Sequence, residues 1–122
     1  MSKYISVYGT LRKEQRANYM MDKTEFIGES EEQLPFIMVD LGSFPALLQS
    51  KENNNITIET YLIGEDDNST ENRLDQYEGY PSFYDKIEIQ LKSGIKSNVY
   101  FMKRNEMMYE GSVIKSGNWL KI

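Results

Sequence analysis

Two strand-like stretches separated by a short glycine turn restrict this chain to folds that contain antiparallel strands. The first stretch, Phe83 to Leu91, alternates apolar with polar residues, and the second runs from Ile95 to Met102. Lys92-Ser93-Gly94 lies between them. Alternation with a period of two is typical of a half-buried strand, and a short turn containing glycine joins antiparallel neighbours. The sequence therefore predicts a β-hairpin here.

Three more stretches are rich in the β-branched and aromatic side chains that strands favour. They are Lys3 to Tyr8, Leu34 to Val39 and Ile56 to Ile63. Phe44 to Leu48 is apolar too, but it contains Pro45, which predicts an irregular edge because proline cannot donate a hydrogen bond in a ladder. The polar segment Lys51 to Asn55 is predicted to be a loop.

Two helices are predicted. Helix-tolerant residues favour a first helix from about Arg12 to Lys23. For the second, Asn68 followed by Glu71 resembles a capping box, and the helix ends at about Glu78 with Gly79 as a left-handed cap. The pattern as a whole predicts one α+β domain over residues 1–122, dominated by antiparallel pairing.

The composition removes several kinds of chemistry. The chain has no histidine and no cysteine, which excludes a thiolate nucleophile, a disulfide framework, a Ser-His-Asp triad and an imidazole or thiolate zinc site. If the protein is an enzyme, Asp, Glu, Lys or Tyr must therefore move its protons.

The charge balance and the hydropathy limit the partners. Fourteen basic and nineteen acidic residues give a net charge of -5, whereas a nucleic-acid-binding protein usually has a basic face, so no nucleic acid is expected. Neither a signal peptide nor a stretch of about 20 apolar residues is found, so we expect a cytoplasmic protein with no membrane partner.

A first candidate site is the segment Tyr8-Gly9-Thr10-Leu11, where a predicted strand breaks at glycine and a predicted helix begins. The N–H groups of Thr10, Leu11 and Arg12 would there face an anion, and Gly9 would let a ligand approach the main chain. An ordinary strand-to-helix turn explains the same residues, and no Gly-Lys-Ser/Thr phosphate loop follows.

A second candidate is Glu78, in the last turn of the second predicted helix. The negative end of the helix dipole disfavours a carboxylate there, and burial would add to that effect. Both would raise the pKa of the carboxyl and make it a proton carrier. The alternative is an exposed glutamate beside a helix cap.

Two further patterns have a simpler explanation beside the functional one. Asp67, Ser69, Glu71 and Glu78 have the spacing of a calcium loop, but a predicted strand precedes them and helix capping explains them more simply. Four aromatic residues close to Glu78 could wall a small-molecule pocket, although core packing explains most of them. They are Tyr77, Tyr80, Phe83 and Tyr84, with Tyr84 the best pocket candidate.

Several motifs together resemble the gamma-glutamylcyclotransferase-like family over nearly the whole chain. The two principal ones are Val7-Tyr8-Gly9-Thr10-Leu11-Arg12 and Leu74-Asp75-Gln76-Tyr77-Glu78-Gly79. Gly42 to Ala46 is similar to the family's glycine–aromatic–proline segment, Glu59 to Tyr61 to its central strand, and Ser116 to Leu120 to the ending of its short members.

The resemblance implies an α+β domain built on a small, mostly antiparallel β-barrel with flanking short helices. It also implies conversion of a gamma-glutamyl amine or peptide to 5-oxoproline and a free amine, with no metal and no cofactor. Glu78 would be the catalytic acid and base. The substrate, a small molecule with a gamma-glutamyl or similar anionic group, would be bound by Tyr8, Gly9, Thr10, Leu11 and Tyr84.

Two departures from the family pattern leave a second function open. Ile58 stands where the family has glycine and is expected to narrow the cavity, and Lys86 replaces an arginine two residues after Tyr84. Lysine keeps the charge but not the fork geometry of arginine. The alternative to a cyclotransferase is therefore a catalytically silent protein that binds or sequesters a small anionic metabolite in the same pocket.

Overall fold

Five strands, one α-helix and two short 3-10 helices form the part of the chain that the computed structural model describes, which is residues 3–63, 68–80, 82, 84–102 and 113–121. The strands are β1 (Lys3–Val7), β2 (Glu25–Asp40), β3 (Pro45–Ile63), β4 (Tyr84–Gln90) and β5 (Lys96–Met102). The α-helix, α1, is Asn68–Glu78, and the 3-10 helices are Asn18–Met21 and Trp119–Lys121.

All five strands belong to one sheet in the order β2-β3-β1-β5-β4. The β1–β3, β2–β3 and β4–β5 pairs are antiparallel, and the β1–β5 pair is parallel. The predicted hairpin is confirmed: β4 pairs with β5 from Tyr84 opposite Met102 to Gln90 opposite Lys96. The α+β class and the mostly antiparallel pairing are confirmed with it.

The predicted β-barrel is not supported, because the described strands form an open sheet with β2 and β4 as its edges. Closure requires a backbone ladder between the first and last strands, and the described residues form none. Side chains connect the two edges instead. Leu34 of β2 and Ile89 of β4 share a buried apolar cluster, and the buried carboxylate of Glu32 accepts a hydrogen bond of 2.9 Å from the N–H of Lys92.

The predicted irregular edge at Phe44 to Leu48 is also wrong. Pro45 is the first residue of β3, and residues 46–49 pair with β2. A proline at the start of a strand weakens the hydrogen-bond ladder little, since the missing N–H lies at the end of the ladder. Proline disrupts a strand in its interior, whereas Pro45 stands at a strand boundary.

The segment Lys51 to Asn55 belongs to β3 and is not the predicted loop. Its polarity has a structural reason, because the β2–β3 register shifts between Leu34 and Phe36. Here Pro35 alone lies opposite residues 50–53. Proline, which lacks an N–H, is tolerated at such a bulge.

The first predicted helix, Arg12 to Lys23, is wrong except for the 3-10 turn Asn18–Met21. Arg12 is 1% exposed, and its side chain is bound to β3. Glu14 has φ +66°, which ends any right-handed helix at that point. Long-range contacts of Arg12 therefore outweigh the local helix propensity of this segment.

The second predicted helix is confirmed as α1. Gly79 follows it with φ +71°, and the N–H groups of Gly79 and Tyr80 bond the carbonyls of Gln76 and Asp75 at 3.2 and 2.9 Å. This is the Schellman cap expected from the glycine. The predicted cap by the Asn68 side chain, the turn at residues 64–67 and the strand start at Phe83 lie outside the described residues.

Helix α1 packs on the sheet through Leu74, which is fully buried in a cluster with Val7 and Met102. That contact fixes the C-terminal end of the helix, which carries Glu78, close to the end of β1.

Substituting Gly117 tests the packing of the C-terminal segment on β3. Gly117 has φ +67°, and a Cβ there would lie 1.6 Å from the backbone oxygen of Asn55. We expect Gly117→Ala to lower the free energy of unfolding by more than about 2 kcal/mol, measured by urea denaturation. Gly94→Ala is the matched control: its φ is +95° but the space around it is open, so about 1 kcal/mol is expected. Equal losses in the two variants would show that the backbone of Asn55 does not restrict position 117.

Candidate active site

A cavity of about 300 Å³ lies where the end of β1, the following turn, the start of β3 and the end of α1 meet. All six residues predicted for the site line it: Tyr8, Gly9, Thr10, Leu11, Glu78 and Tyr84. Seven other residues complete the lining, namely Ser6, Val7, Arg16, Phe44, Pro45, Tyr77 and Tyr100. Of these seven, Tyr77 is predicted as a possible pocket aromatic, and Phe44 and Pro45 belong to the segment Gly42 to Ala46 that resembles the family.

The segment after β1 forms a tight turn and not the predicted helix start. The N–H of Arg12 donates to the carbonyl of Gly9 at 3.0 Å, so this donor is not available to a ligand. The N–H groups of Thr10 and Leu11 have no acceptor within the described part of the chain. Two of the three predicted backbone donors thus have no internal acceptor among the described residues.

A neighbouring side chain leaves room for glycine alone at position 9. A Cβ at this position would lie 2.7 and 2.8 Å from the Cδ and Cγ atoms of Pro45. The sequence explained Gly9 by the approach of a ligand, whereas the structure shows the approach of the Pro45 ring. This contact joins the turn after β1 to the first residue of β3, and both residues line the cavity.

A buried ion pair holds the turn in place. The Nε atom of Arg12 donates to Oε2 of Glu59 on β3 at 2.7 Å, and both side chains are less than 5% exposed. The other oxygen of Glu59 accepts the N–H of Lys13 at 2.8 Å and the hydroxyl of Tyr61 at 3.0 Å. Both ends of this ion pair are therefore hydrogen-bonded, as a buried charge requires.

The guanidinium of Arg12 has two further partners. It donates to Glu29 of β2 at 2.7 Å and to the side-chain oxygen of Asn118 at 2.9 Å. One side chain thus connects the cavity turn with two strands and the C-terminal segment.

Glu78 is half-buried at the end of α1. Desolvation by this burial raises the pKa of its carboxyl to about 7. The rise expected from the sequence is therefore found, with burial as its cause. Near neutral pH the carboxyl is present in both its protonated and its ionised form, as a group that first accepts and then returns a proton must be.

Three tyrosine hydroxyls of the cavity keep their protons. Burial is the main cause that raises the pKa of Tyr8, Tyr84 and Tyr100 above the usual value. The charges or hydrogen bonds of neighbouring residues are a further cause. Tyr8 donates to the carbonyl of Tyr100 at 2.8 Å, and Tyr84 donates to that of Pro45 at 3.0 Å. The Tyr100 hydroxyl donates to the carboxylate of Asp75. The three phenols are therefore neutral walls of the cavity, two fixed to the backbone and one to a side chain of α1.

The family description "Gamma-glutamyl cyclotransferase, AIG2-like" matches residues 5–121. The chain belongs to this family.

Similar proteins and structures cover more than nine-tenths of the chain. A Vibrio cholerae protein with the name "Putative gamma-glutamylcyclotransferase" is 27% identical over 119 residues, 98% of this chain and 96% of that one. An uncharacterized protein from Pyrococcus horikoshii has a similar structure, with a TM-score of 0.75 and 25% identity over 96% of this chain and 89% of that one. The structure of an AIG2-like protein from mouse has a TM-score of 0.73 and 25% identity, over 91% of this chain and 87% of that one.

The two departures from the cyclotransferase pattern do not lie in the cavity. Ile58 is fully buried in the apolar cluster that contains Leu34 and Ile89, so the expected narrowing of the cavity is wrong. Lys86 lies 3.0 Å from the carboxylate of Asp75 and 3.1 Å from that of Glu71. It connects β4 to α1 and does not line the pocket.

The calcium alternative is not supported. The segment before the proposed loop is strand β3 and not a helix, Glu71 is paired with Lys3 and Lys86, and Glu78 lines the cavity. Asp67 lies outside the described residues. Within the described ranges, no group of three or more acidic residues could hold a metal ion, and no helix is both long and apolar enough to cross a bilayer.

Glu59→Gln tests the ion pair that holds the turn. The substitution keeps an oxygen acceptor but leaves the buried charge of Arg12 without its buried carboxylate partner, with the exposed Glu29 as its remaining one, so we expect a loss of about 3 kcal/mol in the free energy of unfolding. Glu29→Gln removes a carboxylate that also contacts Arg12 but is 54% exposed, and should cost less than about 1 kcal/mol. Urea denaturation measures both, and similar losses would refute the assignment.

The raised pKa of Glu78 makes stability depend on pH. The folded protein holds this proton up to about pH 7, whereas the unfolded chain releases it near the usual value of 4.5. The folded state binds more protons in this interval, so the contribution of Glu78 to stability is present at low pH and is lost as pH rises through 7.

Glu78→Gln removes this titration. The stability of the wild type relative to the variant should fall by about 2.5 kcal/mol between pH 5 and pH 9, measured by urea denaturation at both values. A difference that does not change with pH would contradict the raised pKa.

Proposed function

We propose that the protein is a gamma-glutamyl cyclotransferase, which releases 5-oxoproline and a free amine from a small gamma-glutamyl substrate. The observation that carries this proposal is the position of Glu78, a carboxyl with a pKa of about 7, in the same cavity as the unbonded N–H groups of Thr10 and Leu11. The Glu78 carboxyl can move a proton, and the two N–H groups can hold an anion. The cyclisation requires both.

The α-carboxylate of the substrate is bound by the N–H groups of Thr10 and Leu11. The turn that presents them is held by the Arg12–Glu59 ion pair, so the donors are oriented before the substrate arrives. Binding the carboxylate at one end of the gamma-glutamyl group brings its α-amine close to its own γ-carbonyl. Such orientation of two groups of one molecule is a large part of the catalysis.

Glu78 moves one proton twice. Its ionised carboxylate takes a proton from the substrate's α-ammonium, and the resulting amine attacks the γ-carbonyl carbon to form the C–N bond of a five-membered ring. The protonated carboxyl then gives this proton to the nitrogen of the departing amine as the original amide bond breaks. The ring nitrogen loses its second excess proton to solvent water, so Glu78 ends the cycle ionised, and the products are 5-oxoproline, the amine and one proton, which the amine takes up at neutral pH.

The binding alternative loses most of the observations that favoured it. The small size of the protein, Ile58 and Lys86 motivate this alternative, but Ile58 lies in the core and Lys86 is paired with acidic residues of α1, so only the small size still favours it. Neither residue alters the cavity. The cytoplasmic location stays a prediction from the sequence.

Glu78→Gln tests the proposal. We expect the wild type to release 5-oxoproline from members of a panel of gamma-glutamyl amines and gamma-glutamyl amino acids. The amide can neither accept nor return the proton, so the variant should lose about 10²- to 10⁴-fold in kcat. Its circular dichroism spectrum should match that of the wild type. Glu88→Gln, at an exposed position on β4, is the control and should keep full activity.

The pH profile gives a second readout of the same group. Because the free enzyme needs ionised Glu78, kcat/KM of the wild type should rise with pH through about 7. Turnover by Glu78→Gln close to that of the wild type would refute the role of Glu78. A wild type that binds gamma-glutamyl compounds without releasing 5-oxoproline would favour the binding alternative.

A further inference from the structure

Arg16 is a charged residue of the cavity that the proposed proton transfer does not use. It lines the cavity, yet its side chain is exposed to solvent. Thr10 and Leu11 line the same cavity and are 8% and 2% exposed. Arg16 therefore lies toward the mouth of the cavity, and the backbone donors lie at its inner end.

The other basic side chains near the cavity are occupied. Arg12 is paired with Glu59 and Glu29, and Lys86 with Asp75 and Glu71. Arg16, in contrast, forms no ion pair with any carboxylate among residues 3–63, 68–80, 82, 84–102 and 113–121. Within this part of the chain, its guanidinium is the positive charge on the cavity lining that is left for a ligand.

The orientation of the substrate decides what Arg16 meets. With the α-carboxylate at Thr10 and Leu11 and the γ-carbonyl next to Glu78, the departing amine extends toward solvent and leaves by the mouth. A guanidinium binds carboxylates with two parallel hydrogen bonds and repels ammonium groups. In this orientation Arg16 contacts the leaving group and not the gamma-glutamyl group.

We propose that Arg16 selects substrates whose departing amine carries a carboxylate, that is, gamma-glutamyl amino acids and peptides in preference to gamma-glutamyl derivatives of neutral amines and diamines. This inference rests on the proposed function, and it assigns to the same cavity a substrate class and a specificity residue. Arg16 moves no proton; it attracts and orients the part of the substrate that leaves.

The test compares gamma-glutamylglycine with gamma-glutamylglycinamide, which have nearly the same size but differ in the charge of the leaving group. The selectivity is the ratio of their kcat/KM values, measured by 5-oxoproline release. In Arg16→Gln this ratio should fall about tenfold, the loss typical of a strong hydrogen-bonded charge pair. In Arg16→Glu it should fall further, and gamma-glutamyl-ethylenediamine should become the better substrate.

Lys96→Gln is the matched control, since it removes one positive charge at an exposed site on β5 outside the cavity lining. It should leave the ratio unchanged, which separates a local contact from the overall charge of the protein. An equal loss for both substrates in Arg16→Gln would place the guanidinium on the shared gamma-glutamyl group and overturn the inference. An unchanged ratio would overturn it too.

Failure of the proposed function gives a different result. If the wild type releases 5-oxoproline from neither compound, both compounds are titrated calorimetrically into the wild type and the same variants. The ratio of their affinities, as 1/Kd, is then compared instead of the ratio of their kcat/KM values. A tenfold fall in the affinity ratio in Arg16→Gln would then support the role of Arg16 in a binding protein. An unchanged affinity ratio would overturn it.

Discussion

The ion pair between Arg12 and Glu59 is the interaction on which the cavity depends. It replaces the helix that the local sequence favours by a turn, and it leaves the N–H groups of Thr10 and Leu11 without internal acceptors in the described part of the chain. A buried ion pair is seldom a net source of stability, because desolvation of both charges offsets their attraction. Here it fixes one backbone conformation of the turn that lines the cavity.

Features determined by nearby residues could be predicted from the sequence. Helix α1 and its Gly79 cap depend on residues within one or two turns, and the β4–β5 hairpin depends on alternation and one short turn. Both predictions are confirmed. The Arg12 to Lys23 prediction failed because Glu59, which holds Arg12, is 47 residues away in the sequence.

The same distinction applies to the candidate site. Motifs identified Glu78 and the segment from Tyr8 to Leu11, because each lies on one short piece of chain. Strand pairing brings Pro45 and Tyr100 to the cavity. The segment Gly42 to Ala46 marks Pro45 by its resemblance to the family but does not place it in the cavity, and no local pattern marks Tyr100. The open sheet was missed for a similar reason: the Glu32 carboxylate joins its edges through the N–H of Lys92, a contact between residues 60 apart.

The C-terminal segment covers one end of the outer edge of β2, where Val39 forms an antiparallel bridge with Val113 and the N–H of Ile114 donates to the carbonyl of Met38 at 2.8 Å. Along the rest of β2 the described residues form no outer ladder, and an edge strand of this kind can associate with a strand of a second chain. Glu25, Glu29 and Glu31 are all exposed along β2, at alternate or near-alternate positions. Two such edges brought together would place rows of like charge opposite each other. The acidic residues of β2 therefore protect the protein against edge-to-edge aggregation. A closed barrel needs no such protection, because it has no edge strands.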